Sequence, residues 1–138
     1  MIIPLWCLLG FVLWTGLLVG VVAGWRVYMT VSGQRRSNSF SVEGVEGPDW
    51  YQRAVRVHQN CVENLPLFGS VVLIAAATGE QSSTMDNLAI AYLVFRLLQS
   101  GVHLGSTSVM AVNVRFTFFL FQHLTLIAFV AAMIAELK

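Results

Sequence analysis

Four stretches of mostly apolar residues, roughly Ile2 to Met29, Tyr51 to Thr78, Asp86 to Gly105 and Val114 to Leu137, are each long enough to cross a bilayer. A hydrocarbon core is spanned by about 20 residues of helix. In lipid every backbone N–H and C=O must find a partner inside the protein, so uninterrupted apolar runs of this length are helices. Only 11% of the 138 residues are charged, against about a quarter in a soluble domain, which excludes a sizeable soluble portion. A net charge of +1 leaves no basic surplus for nucleic acid. Residues 1–138 therefore read as one transmembrane domain of the all-α class.

The link from about Thr30 to Trp50 is long and carries Gly33, Gly44, Gly47 and Pro48, whereas the second link is a tight turn in the segment GEQSSTM. Short links make consecutive helices antiparallel neighbours, so the expected architecture is an up-and-down four-helix bundle. The first stretch lacks the basic n-region and small-residue cleavage site of a secretory signal, and is expected to stay as a spanning helix. Arg26, Arg35, Arg36 and Arg53 flank the first loop, while the second carries Glu80 and Asp86 but no basic residue. The positive-inside rule then puts the first and third loops in the cytoplasm and both termini opposite, with Lys138 a weak counter-indication.

Gly16, Gly20 and Gly24 recur every fourth residue, a spacing that lets another helix approach closely. Trp6 and Trp25 suit interfacial anchoring, and Trp14 lies too centrally for it. Cys7 and Cys61 fall at different depths, which predicts two free, buried thiols.

Ionisable side chains inside a membrane are costly and mark function by default. Arg53, Arg56, Asn60 and Glu63 follow at spacings of three, four and three along one stripe of the second helix. Tyr92, Arg96, Gln99 and His103 repeat the device on the third helix at four, three and four. With the topology above, Arg53 to Glu63, Gln99, His103, Arg26 and Arg115 share the cytoplasmic half. At about 1.5 Å per residue Glu63 lies about 15 Å below Arg53, so this polar basin reaches toward the midplane.

Glu63 could pair with Arg96 as a buried ion pair, which would still leave Arg26, Arg53, Arg56 and Arg115 as surplus positive charge. Such a surplus suits a small anionic ligand, because guanidinium forks bind carboxylates bidentately. Asn60 and Gln99 can add neutral hydrogen bonds. No metal site is expected: His58, His103 and His123 sit on three helices, with no His-x-x-x-His or Cys-x-x-Cys spacing.

Arg56, His58, Asn60, Glu63 and Pro66, written R-x-H-x-N-x-x-E-x-x-P, closely resemble the second-helix signature of the MAPEG family, membrane-associated proteins in eicosanoid and glutathione metabolism. The resemblance runs through the whole chain: four spans, a long first loop, an arginine in the third helix and another at the start of the fourth. It implies a homotrimer of four-helix subunits in the lipid bilayer, binding glutathione as co-substrate between neighbours in a cytoplasm-facing site. By position it carries glutathione binding to Arg26, Arg53, Arg56, Asn60, Glu63, Arg96, Gln99 and His103. It makes Arg115 the arginine that stabilises the glutathione thiolate.

Two positions depart from the family pattern. His103 stands where the well-known eukaryotic members carry tyrosine, and Gln52 where the microsomal transferases carry an acid. The implied function is a glutathione transferase acting on hydrophobic electrophiles, with lipid hydroperoxides as a second substrate class. Phe116, Phe118, Phe119 and Phe121 are candidates for its apolar wall. The family also contains a non-catalytic protein that presents lipid to another enzyme, which is the rival reading. Both a bacterial inner membrane and an endomembrane suit such a chain.

Overall fold

A computed structural model describes residues 2–137, with side chains from Ile3 onward; Met1 and Lys138 lie outside the described residues. It contains four helices: α1 (Ile2–Val31), α2 (Asp49–Thr78), α3 (Ser83–Gly105) and α4 (Val109–Glu136), with no strand among the described residues. All four are long and apolar enough to cross a membrane.

Two helices begin earlier than apolar length alone suggests. The Ser82 hydroxyl accepts a hydrogen bond from the Met85 N–H and starts α3 three residues before Asp86; the Ser108 hydroxyl does the same for Ala111 and starts α4 five residues before Val114. Each serine satisfies a donor that the first helical turn would leave orphaned, so the helix begins in polar sequence. At the other end of α2, Gly79 adopts a left-handed conformation (φ 76°) and hands its N–H to Ala76 while Glu80 bonds Ala75. A residue with a Cβ would resist that cap.

Consecutive helices run antiparallel. α3 packs most extensively on α4 and α1 on α2, while α1 also reaches α3. The centre is aromatic: the Phe68 and Tyr92 rings stack with centroids 4.2 Å apart, and Phe11 tilts against both at 6.4 and 6.1 Å. All three are essentially buried. Cys7 and Cys61 are free and buried beside them. By contrast α2 meets α4 over only a short length, so a cleft opens between them above α3.

The long first loop is folded down onto the α1–α2 end. Arg26 donates from Nε to the Tyr51 hydroxyl (2.6 Å) and from Nη2 to the Ser41 carbonyl (2.8 Å). Glu46 accepts from the Ser41 hydroxyl (2.6 Å) and the Tyr51 hydroxyl (3.1 Å). Gly47 lies so close to the Tyr51 ring that a Cβ there would fall 2.1 Å from Cδ1. Trp25 packs on Tyr51 with centroids 4.0 Å apart, so its ring joins the end of α1 to the start of α2 beneath the loop. Nothing among the described residues approaches within 4 Å of where a Cβ would stand on Gly16, Gly20 or Gly24, so no other helix of the chain packs closely on that small-residue face.

Candidate functional site

The cleft between α2 and α4 encloses about 350 Å³. From α2 it takes Arg56, Gln59, Asn60 and Glu63; from the last turns of α3, Gln99 and His103; from α4, Val112, Arg115, Phe116 and Phe119. Helical spacing explains each group. Arg56, Asn60 and Glu63 stand at i, i+4 and i+7, Gln99 and His103 at i and i+4, and Val112, Arg115 and Phe119 at i, i+3 and i+7, so each set shares one face. Six of the nine residues singled out in the sequence thus meet in one cavity.

The other three are held elsewhere. Arg53 donates from Nε to the Leu104 carbonyl (2.8 Å) and lines an adjoining recess of about 240 Å³ with Asp49, Gln52 and Thr107; Arg56 borders both spaces. Arg26 is committed to Tyr51 and Ser41 and borders a separate cavity of about 390 Å³ with Val27, Thr30 and Phe40. Arg96 is only 1% exposed and lies behind Asn60, not in the cleft. Its Nη1 donates to Asn60 Oδ1, its Cζ sits 5.5 Å from the Phe11 ring centroid, and its Nε and Nη2 have no hydrogen-bond partner. The buried Glu63–Arg96 ion pair is therefore not formed, because Arg96 turns into the bundle core while Glu63 is exposed on the outer side of α2.

The cleft is asymmetric in charge and polarity. The guanidinium groups of Arg56 and Arg115 line the cleft together with His103, and Glu63 is the one carboxylate lining the cavity. Among the described residues no intrachain hydrogen bond engages the side chains of Arg56, Glu63 or Arg115, unlike those that occupy Arg26 and Arg53. Phe116 and Phe119 form the apolar wall, whereas Phe118 and Phe121 pack against Phe95 with centroids 6.3 and 5.6 Å apart. Among the described residues no group of His, Cys, Asp and Glu could hold a metal ion.

Sequence reasoning overlooked two lining residues. Gln59, three positions after Arg56, also donates to the Val42 carbonyl (2.9 Å) and so joins the cleft to the first loop. Val112 precedes the start expected for the fourth helix; the Ser108 cap was the signal for it.

Cationic donors, one carboxylate, carboxamides and an aromatic wall in one cleft of a four-helix bundle define a multi-pass membrane protein with a pocket suited to a small zwitterionic or anionic molecule beside an apolar one. The family model described as the MAPEG family matches residues 3–135, nearly the whole chain, and the protein belongs to that family. Its members include both glutathione transferases and non-catalytic proteins. No curated protein and no solved structure matches the chain.

Proposed function

We propose that the protein is a membrane-bound glutathione transferase that conjugates glutathione to hydrophobic electrophiles. The observation that carries this reading is the convergence of Arg56, Asn60, Glu63, Gln99, His103 and Arg115 on one cleft beside Phe116 and Phe119. The donor set complements a tripeptide with two carboxylates, one ammonium group and two amides. Arg56 and, at the rim, Arg53 take carboxylates. Glu63 takes the ammonium group, and Asn60, Gln99 and His103 fix the peptide groups.

Glutathione supplies the sulfur nucleophile, and the protein must favour its ionised form. An ordinary thiol has a pKa of about 8.5, and lowering it to about 7 takes roughly 2 kcal/mol of preferential thiolate stabilisation. The Arg115 guanidinium, half-buried in the cleft, can supply this. Val112, Phe116 and Phe119 hold the apolar electrophile on the lipid side, and lipid hydroperoxides are the second class that fits there.

Arg56 and Glu63 are both exposed on a helix of bilayer length. An ion facing lipid costs several kcal/mol, so another subunit covers this face, in keeping with the homotrimer implied by the family resemblance. The ligand then lies between subunits, while Arg26 braces the first loop. The arginine-rich first loop puts the open end of the cleft in the cytoplasm.

The test is conjugation of glutathione to 1-chloro-2,4-dinitrobenzene by the purified protein in detergent, with glutathione binding followed by calorimetry. Turnover is the expected result. Binding without turnover would move the search to peroxides, and the absence of both would favour the lipid-presenting reading.

A further inference from the structure

We propose that Arg96 is a positioning residue that acts through Asn60. It locks the Asn60 carboxamide so that only N–H faces the cleft, and the ligand group seated there must be a carbonyl or carboxylate oxygen. The inference deepens the glutathione reading and rests on it for the identity of the ligand.

A guanidinium has five N–H donors and no acceptor. Arg96 sends Nη1 to Asn60 Oδ1, and its Nε and Nη2 have no partner, so this carboxamide oxygen is the hydrogen-bond acceptor for a cation that is 1% exposed. The oxygen and nitrogen of a carboxamide are normally hard to tell apart, and the hydrogen-bond network decides between them. Here the partner is a pure donor, so the oxygen must face it. Flipping the amide would remove a charge-assisted bond and set an NH2 against the guanidinium.

The rest of Asn60 is accounted for as well. Its backbone carbonyl accepts from Asn64 Nδ2 (2.8 Å), and Asn60 lines the cleft whereas Arg96 does not. Nδ2 is thus the polar atom left for a ligand. The face of Phe11, 5.5 Å from Arg96 Cζ, backs the guanidinium on the core side. Arg96 therefore shapes what the cleft accepts without touching it.

The test is a double-mutant cycle on the full-length protein with Arg96→Met and Asn60→Ala, reading the Kd of glutathione by calorimetry. One hydrogen bond to a charged group corresponds to about tenfold in affinity. Each single variant should therefore bind about tenfold more weakly, and the double variant no more weakly than either. Methionine is the replacement because an apolar residue of similar size is tolerated where a buried charge is removed. Arg96→Lys keeps a charged donor and should recover most of the affinity. Losses that multiply to about a hundredfold, or normal binding by Arg96→Met, would overturn the proposal.

A second readout needs no ligand. In asparagine-15N-labelled protein the Asn60 Nδ2 group should show a high heteronuclear 15N–1H NOE that falls in Arg96→Met, as the carboxamide gains freedom about its Cβ–Cγ bond. An unchanged NOE in that variant would also overturn the proposal. If the unmodified protein binds no glutathione, the glutathione reading fails while this NOE still decides the role of Arg96.

Discussion

Arg53 Nε lies 2.8 Å from the Leu104 carbonyl oxygen, so the first turns of α2 are fastened to the last turn of α3, one residue beyond His103. That carbonyl belongs to the set a helix end cannot satisfy internally, and a cation there also meets the negative end of the helix dipole. Replacing Arg53 by alanine should lower stability by about 1–2 kcal/mol. Thermal unfolding in detergent measures the loss. Hydrogen exchange should accelerate in residues 102–105, and unaltered protection there would contradict the cap.

Replacing Arg115 by alanine should lower turnover more than it weakens glutathione binding. If the bound thiol returns from a pKa of about 7 to about 8.5, its ionised fraction at pH 7 falls roughly fifteenfold. The deficit should shrink as pH rises past about 8.5, where the thiol ionises unaided. A pH profile of turnover for both proteins checks this. A constant ratio across the range would remove Arg115 from the thiolate-stabilising role.

Glu46 responds to pH in a definite direction. Burial would raise its pKa, but the hydroxyls of Ser41 and Tyr51 together with backbone N–H groups outweigh burial and hold it below the usual carboxylate range. The folded loop thus binds the proton less readily than the unfolded one, so the contribution of Glu46 is complete above the ordinary value of about 4.3 and is lost as pH falls through the lower folded value. Trp25, stacked on Tyr51, is a natural reporter. Its fluorescence should change on acidification, and Glu46→Gln should abolish that step.

Two glycines separate steric cost from conformational cost. Gly47→Ala forces a methyl group against the fully buried Tyr51 ring and should cost about 2–3 kcal/mol, releasing the first loop. Gly79→Ala meets no neighbour within 4 Å and is penalised only for its positive φ, by about 1 kcal/mol. Equal losses of unfolding temperature in the two variants would refute the distinction.

Much of this protein is written in local sequence. Apolar length determines that there are four helices, and the three- and four-residue spacings determine that Arg56, Asn60 and Glu63 share a face, as do Gln99 and His103, because both follow from the geometry of a single helix. The R-x-H-x-N-x-x-E-x-x-P signature is likewise contained in one segment. Helix starts were less legible, since Ser82 and Ser108 act through one hydrogen bond each and leave no mark on hydropathy.

Depth along a helix is local too, and it groups Arg26, Arg53, Arg56 and Arg115 toward one end of the bundle while saying nothing of direction. The tertiary structure alone decided that Arg56 and Arg115 open into the cleft, that Arg53 caps α3, that Arg26 braces the first loop and that Arg96 turns inward to Asn60. It likewise sorted Phe116 and Phe119 to the cavity and Phe118 and Phe121 to Phe95. The physical reason is that a helix fixes the angles among its own side chains, but its rotation about its axis is set by packing against its neighbours, and that depends on contacts between residues far apart in the chain.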